Sequence, residues 1–282
     1  MADLTNTRST VHTDLTGTRR RKPKPDLDGR HFRREIAHPP LGNPFYVGCW
    51  ATSLMNTLQR FALAAGLVLV AAIASVLAAP ELPDQLVTNW DAAGEPNGTM
   101  STTTGLWLIP GLAAGLLVLF ALLPRIDPLR ENIATFRAYY DWFVVVFIAY
   151  MTLVHAGILA FNLGYEFDFT LVILAGTVPL FYYVGVVLEQ AKRNWFIGIR
   201  TPWTLSDDEV WDRTNALGAT LFKLTALVTL VGLAVGYASG QGEYALYAMV
   251  VPMLLTAFGT VAYSYYLYRE LDEAGASTEV GL

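Results

Sequence analysis

Six stretches of about twenty apolar residues dominate this chain: 61–79, 104–123, 142–163, 169–188, 217–237 and 244–266. A bilayer core of about 30 Å is crossed by roughly 20 residues of helix, so each stretch is long enough to span. Composition agrees. Hydrophobic residues make up 54% of the 282 and charged residues only 15%, against about 25% charged in a typical soluble domain. Mean hydropathy is +0.39. No alternation of about ten residues recurs, which excludes the pattern of a transmembrane barrel. The expected fold class is therefore all-α: a polytopic membrane protein with six transmembrane helices.

Charge orients the spans. Lys and Arg number 10 in residues 1–60, 3 in 124–141, 4 in 189–216 and 1 after 266, while 80–103, 164–168 and 238–243 contain none. Every basic residue outside a span thus falls on one side, which the positive-inside rule assigns to the cytoplasm together with both termini. The first apolar run begins at Phe61, too late for a cleaved leader, and is long enough to remain as a span. Residues 1–45 hold the basic run Arg19-Arg20-Arg21-Lys22-Pro23-Lys24 without apolar periodicity and read as a disordered cytoplasmic tail. Tyr46, Trp50, Leu54 and Leu58 follow at near-helical spacing, as in an interfacial lead-in to the first span. The chain divides into that tail, a segment 46–123 with the first two spans and the outer loop, and a four-span region 124–282.

Chemistry is sparse. The single Cys49 excludes CxxC metal or redox sites, and the four histidines suggest no zinc centre. No Ser/His/Asp pattern, His-Glu-x-x-His motif or glycine-rich phosphate loop occurs, so no catalytic residue, metal or cofactor is expected. The short basic run does not point to direct nucleic-acid binding; membrane lipids are the expected surroundings.

Two connections carry information. The outer loop 80–103 has two early prolines, the turn formers Gly94 and Asn97-Gly98, carboxylates at Glu81, Asp84, Asp91 and Glu95, and one aromatic, Trp90. This composition offers a docking surface for a cationic or amphipathic ligand, with Trp90 placed at the headgroup level. In the inner loop 189–216, Ser206 and Glu209 have capping-box spacing, which predicts a helix starting at Ser206 and carrying Trp211 along the interface. The preceding Phe196-Ile-Gly-Ile-Arg-Thr-Pro-Trp203 is too apolar for a solvated loop. It is expected to fold back on the bundle, with Arg200 paired to Glu189, Asp208 or a lipid phosphate.

These loops resemble the two signatures of the Sdp-type membrane proteins, which protect a cell from a secreted membrane-active toxin. Leu82-Pro83-Asp-Gln-Leu-Val-Thr-Asn-Trp90-Asp-Ala-Ala-Gly94-Glu-Pro-Asn-Gly98 resembles the outer signature. Asn194-Trp-Phe-Ile-Gly198-Ile-Arg200-Thr201-Pro202-Trp-Thr204-Leu-Ser206, with Trp211 and Asn215 beyond, resembles the inner one. Asn89 stands where family members usually have a histidine, and Asp91 where they have an asparagine, so the resemblance carries no metal- or proton-dependent role to this site. It implies immunity to an extracellular toxin peptide, either by binding it at the outer face that carries Trp90, Asp91, Gly94 and Glu95 or by preventing its insertion. It also implies that Asn194, Gly198, Arg200, Thr201, Pro202 and Trp211 form an inner face, which in some members holds a cytoplasmic repressor. Two polar groups fall within spans. His155 is expected to stay neutral and hydrogen-bond across the bundle, and Lys223 to reach back to the interface. A small-solute transporter is the rival reading, for which His155 alone is well placed.

Overall fold

The computed structural model describes residues 55–91 and 94–280. The expected tail 1–45 and most of the lead-in lie outside them. Six helices are long and apolar enough to cross a membrane, one at each predicted stretch. Helix α1 (Thr57–Ala78) is capped by Asn56, whose side chain accepts from Gln59 N while the Gln59 side chain accepts from Asn56 N. That capping box secures two of the amides the helix start leaves open. A 3-10 turn (Ala79–Glu81) leads into strands β1 (Gln85–Trp90) and β2 (Pro96–Ser101), followed by α2 (Thr102–Ile126). A short helix, α3 (Arg130–Thr135), then precedes α4 (Arg137–Asn162) and α5 (Phe169–Gln190). The five-residue α6 (Pro202–Ser206), α7 (Asp208–Ser239) and α8 (Glu243–Val280) complete the order. The hairpin marks one end of the bundle and the 191–207 loop the other.

The outer loop is folded, which the sequence reading did not expect. β1 and β2 pair antiparallel with Leu86 opposite Met100, Val87 opposite Thr99 and Asn89 opposite Gly98. The turn is not at Asn97-Gly98. It runs from Asp91 to Glu95, where Gly94 takes φ 85° and the Asp91 side chain accepts from Glu95 N at 3.0 Å. Gly98 serves instead inside β2, where a Cβ would lie 2.8 Å from Asn89 Nδ2. Packing selects this register: Leu86 is fully buried, and a Cβ on Gly105 of α2 would come within 2.8 Å of its Cδ1. Asn162, at the end of α4, accepts from Val87 N at 2.8 Å and donates to Val87 O at 2.9 Å, acting as a surrogate neighbouring strand.

At the opposite end the main core gathers Ile133, Phe136, Tyr140, Val144, Ile148 and Trp211. Beside it lies an ionic cluster with no counterpart in the sequence reading. Asp141 is fully buried and accepts from Thr57 Oγ1 at 2.7 Å and Arg137 Nε at 2.5 Å. Arg60, itself buried, stands 3.7 Å from the same carboxylate and over the Trp142 ring. A carboxylate at this depth is tolerable only with such partners, and they tie α1 to α4.

Candidate functional site

The inner signature residues build a loop held almost entirely by side-chain-to-backbone bonds. Asn194 is fully buried. Its Nδ2 donates to Lys192 O (2.8 Å) and Ile197 O (2.7 Å), while its Oδ1 accepts from Phe196 N (2.9 Å) and Ile197 N (2.6 Å). One amide thus satisfies four backbone groups of a segment that has no helix or strand to pair them. Asp127 accepts from Trp195 N at 2.9 Å and Asn132 donates to Arg193 O at 2.7 Å, fastening the loop to the segment after α2. Arg193 donates to Leu205 O and pairs with Asp208 at 2.7 Å.

Beyond Asn194 the chain turns at Gly198, with φ 127°. A Cβ there would lie 2.8 Å from Trp211 Cζ2 and 2.9 Å from Asn215 Oδ1. Glycine is therefore required by both conformation and space. Asn215 accepts from Ile199 N (2.8 Å), and Ile199 packs so tightly on Gly218 that any side chain there would collide with it. Thr201 caps α6 in a box with Thr204 and bonds Ser264 of α8 at 3.1 Å; Pro202 occupies the first turn, where its missing N–H costs nothing. The loop folds back on the bundle as expected, over an apolar cavity of about 370 Å³ lined in part by Phe120, Tyr140, Phe196, Ile197 and Phe222.

Three expectations for this loop are corrected. Helix α7 does not start at Ser206. Ser206 ends α6, its Oγ donating to Trp203 O, and Asp207 is the cap, accepting from Glu209 N (2.8 Å) and Val210 N (2.9 Å). The Asp207 carboxylate also faces the positive end of the helix. Trp211 does not lie along the interface: it is fully buried, and its Nε1 donates to Ala191 O at 2.8 Å. Arg200 has no carboxylate partner among the described residues. Of the two candidates, Glu189 pairs with Lys223 at 2.7 Å and Asp208 with Arg193, leaving Arg200 exposed. The Lys223 stem thus reaches back to a partner at the end of α5 rather than to bulk water.

His155 bonds across the bundle as expected. Its Nε2 lies 2.8 Å from Ser75 Oγ, which also contacts Leu106 O at 2.8 Å, so α1, α2 and α4 meet there. Both residues are enclosed, and the pair ties helices.

At the hairpin end Trp90 is not an exposed anchor. It is half-buried, stacked on Phe169 of α5 with centroids 3.6 Å apart, and edge-on to Phe161. Asp91 and Gly94 shape the turn; Asp91 and Glu95 are exposed. Gly94 lies against α5, where a Cβ would meet Thr170 Oγ1 at 3.4 Å.

The loop geometry coincides with a family match. Residues 190–264 match the SdpI/YfhL protein family. That segment contains every inner signature residue named above, together with Lys223. Residues 66–114 match a domain of unknown function (DUF1648), and they hold the hairpin with Trp90, Asp91, Gly94 and Glu95. The chain is also similar to Immunity protein SdpI of Bacillus subtilis (strain 168), at 24% identity over 200 residues, covering 71% of this chain and 91% of the relative. No solved structure matches. The protein is a multi-pass cell membrane protein.

Proposed function

We propose that this membrane protein confers immunity, protecting the cell that carries it from a secreted membrane-active toxic peptide, without enzymatic chemistry. The observation that carries this reading is the similarity to Immunity protein SdpI across 91% of that protein. The matched inner segment is also built from the very residues the signature contains. Asn194, Gly198, Thr201 and Trp211 fix the loop, and Arg200 is its exposed charged side chain without a carboxylate partner among the described residues. Arg200 is free to take a lipid phosphate or a partner's acidic group.

Orientation follows charge. None of the 19 Lys and Arg lies in the three connections at the hairpin end, so the hairpin faces outward and the signature loop and termini face the cytoplasm. The toxin is met outside, at the face carrying Trp90, Asp91, Gly94 and Glu95. The inner loop, with Trp195 half exposed, at 50%, offers a surface to a cytoplasmic repressor. The test is survival. A toxin-sensitive bacterium expressing the chain is grown beside a strain secreting a toxin of the Sdp type. Colony counts well above the empty vector at confirmed membrane abundance support immunity; counts equal to the vector reject it.

A further inference from the structure

A cleft of about 350 Å³ opens between the hairpin tip and the first turns of α5 and α8. Its walls are Thr88, Trp90 and Asp91 on the hairpin side, Phe169 and Ile173 on α5, and Leu246 on α8. The floor is apolar and the rim is acidic. Asp91 lines the cleft directly. Asp168 caps α5 immediately before Phe169, and its Oδ2 would lie 3.1 Å from a Cβ on Gly242, which places this carboxylate at the α7–α8 turn. Glu243 opens α8 one turn before Leu246. Residues 61–124, 138–191 and 224–268, which supply every wall of the cleft, contain no Lys or Arg. Those stretches therefore bring no basic side chain to the acidic rim. Two polar atoms in the wall, Trp90 Nε1 and Thr88 Oγ1, are buried without a hydrogen-bond partner among the described residues.

We infer that this cleft docks a cationic peptide segment, seating one apolar side chain between Trp90, Ile173 and Leu246 while flanking Lys or Arg residues meet Asp91, Asp168 and Glu243. The inference deepens the immunity reading, on which it rests for the visitor being a secreted peptide. It adds Asp168, Ile173, Glu243 and Leu246 to the outer residues the signature contains. Field focusing by single-sign charge over low-dielectric walls raises the local concentration of a cationic ligand, and the apolar slot selects an amphipathic one.

The test uses the full chain in phosphatidylcholine nanodiscs, whose neutral lipid does not itself attract cations. The probe is a short labelled peptide with a central phenylalanine flanked on both sides by lysines, and binding is read by fluorescence anisotropy against empty nanodiscs. The expected result is saturable binding that weakens as NaCl rises. Affinity is expected to fall about tenfold or more in Asp91→Asn/Asp168→Asn/Glu243→Gln. Those substitutions keep the acceptor oxygens that cap α5 and bond Glu95 N, so the fold is retained. Leu246→Ser tests the floor independently and is expected to weaken binding several-fold. A peptide with glutamates for lysines is expected not to bind, and one with serine for phenylalanine to bind weakly. Equal binding by the neutralised triple variant, by the glutamate peptide or by empty nanodiscs would overturn the proposal. Absent binding alongside full protection in the survival assay would remove this cleft and leave immunity standing; binding without protection would do the reverse.

Discussion

Replacing Asn194 by alanine removes one side chain and strands four backbone groups. The two N–H groups of Phe196 and Ile197 lose their acceptor, and the carbonyls of Lys192 and Ile197 lose a donor. Leaving a buried polar group unpaired costs about 1–3 kcal/mol. Parts of the loop are half-buried, so water re-satisfies some of the four, and a net penalty of about 3 kcal/mol follows. At about 1.4 kcal/mol per factor of ten, the population of opened loop rises about a hundredfold. The six spans do not depend on this amide and remain inserted. Limited trypsin digestion reads the change directly, because Lys192, Arg193 and Arg200 lie within the loop and cleavage tracks the opened population when reclosing is fast. Purified Asn194→Ala in detergent is expected to be cut there about two orders of magnitude faster than wild type, with unaltered helical circular dichroism. A cleavage rate within threefold of wild type would refute the claim that this amide holds the loop.

The remaining predictions concern other parts of the bundle. Asp141→Asn leaves Arg60 and Arg137 without their shared carboxylate, so thermal unfolding in detergent is expected to show a loss of about 3–5 kcal/mol; an unchanged Tm would contradict the buried cluster. Gly198→Ala combines a left-handed φ with a clash against Trp211, and is expected to lower membrane abundance or loop protection by about 1–3 kcal/mol. Lys223→Met removes a pair whose side chains are 30% and 54% exposed, so a stability change within about 1 kcal/mol is expected. Arg200→Ala is expected to insert and unfold as wild type, because no carboxylate is stranded, and to lose protection in the survival assay.

The spans were legible in the sequence because twenty apolar residues in a row admit one cheap solution, a helix in lipid. The hairpin was not. Residues 85–101 lack clean alternation, a bulge interrupts the pairing between Val87 and Asn89, and the strongest local turn signal, Asn97-Gly98, is overruled by the burial of Leu86. Ser206 and Asp207 are both good caps in adjacent positions, and only the local backbone decides between them. Arg200 was judged from its apolar neighbours, but its expected partners are claimed by Lys223 and Arg193, basic residues distant in sequence from the acids they bind. For Asn194, Asn215 and Thr201 the signature marked the right residues without revealing their work, since the backbone groups they satisfy depend on how the loop folds back. Asp141 carries a weak signal that could have been followed: an acid one turn after Arg137 at the start of an apolar run needs a partner, and Arg60 opens the first run at the same end.

The proposed immunity is protection of the cell against a membrane-active toxic peptide. Its most direct test follows a potential-sensitive dye in sensitive cells as an Sdp-type toxin is added, comparing wild type, Asn194→Ala and empty vector at matched membrane abundance. Sustained potential with wild type, and collapse with both the vector and Asn194→Ala, is the predicted result. Collapse with wild type as fast as with the vector would contradict immunity. Full protection by Asn194→Ala would contradict the role given to the signature loop.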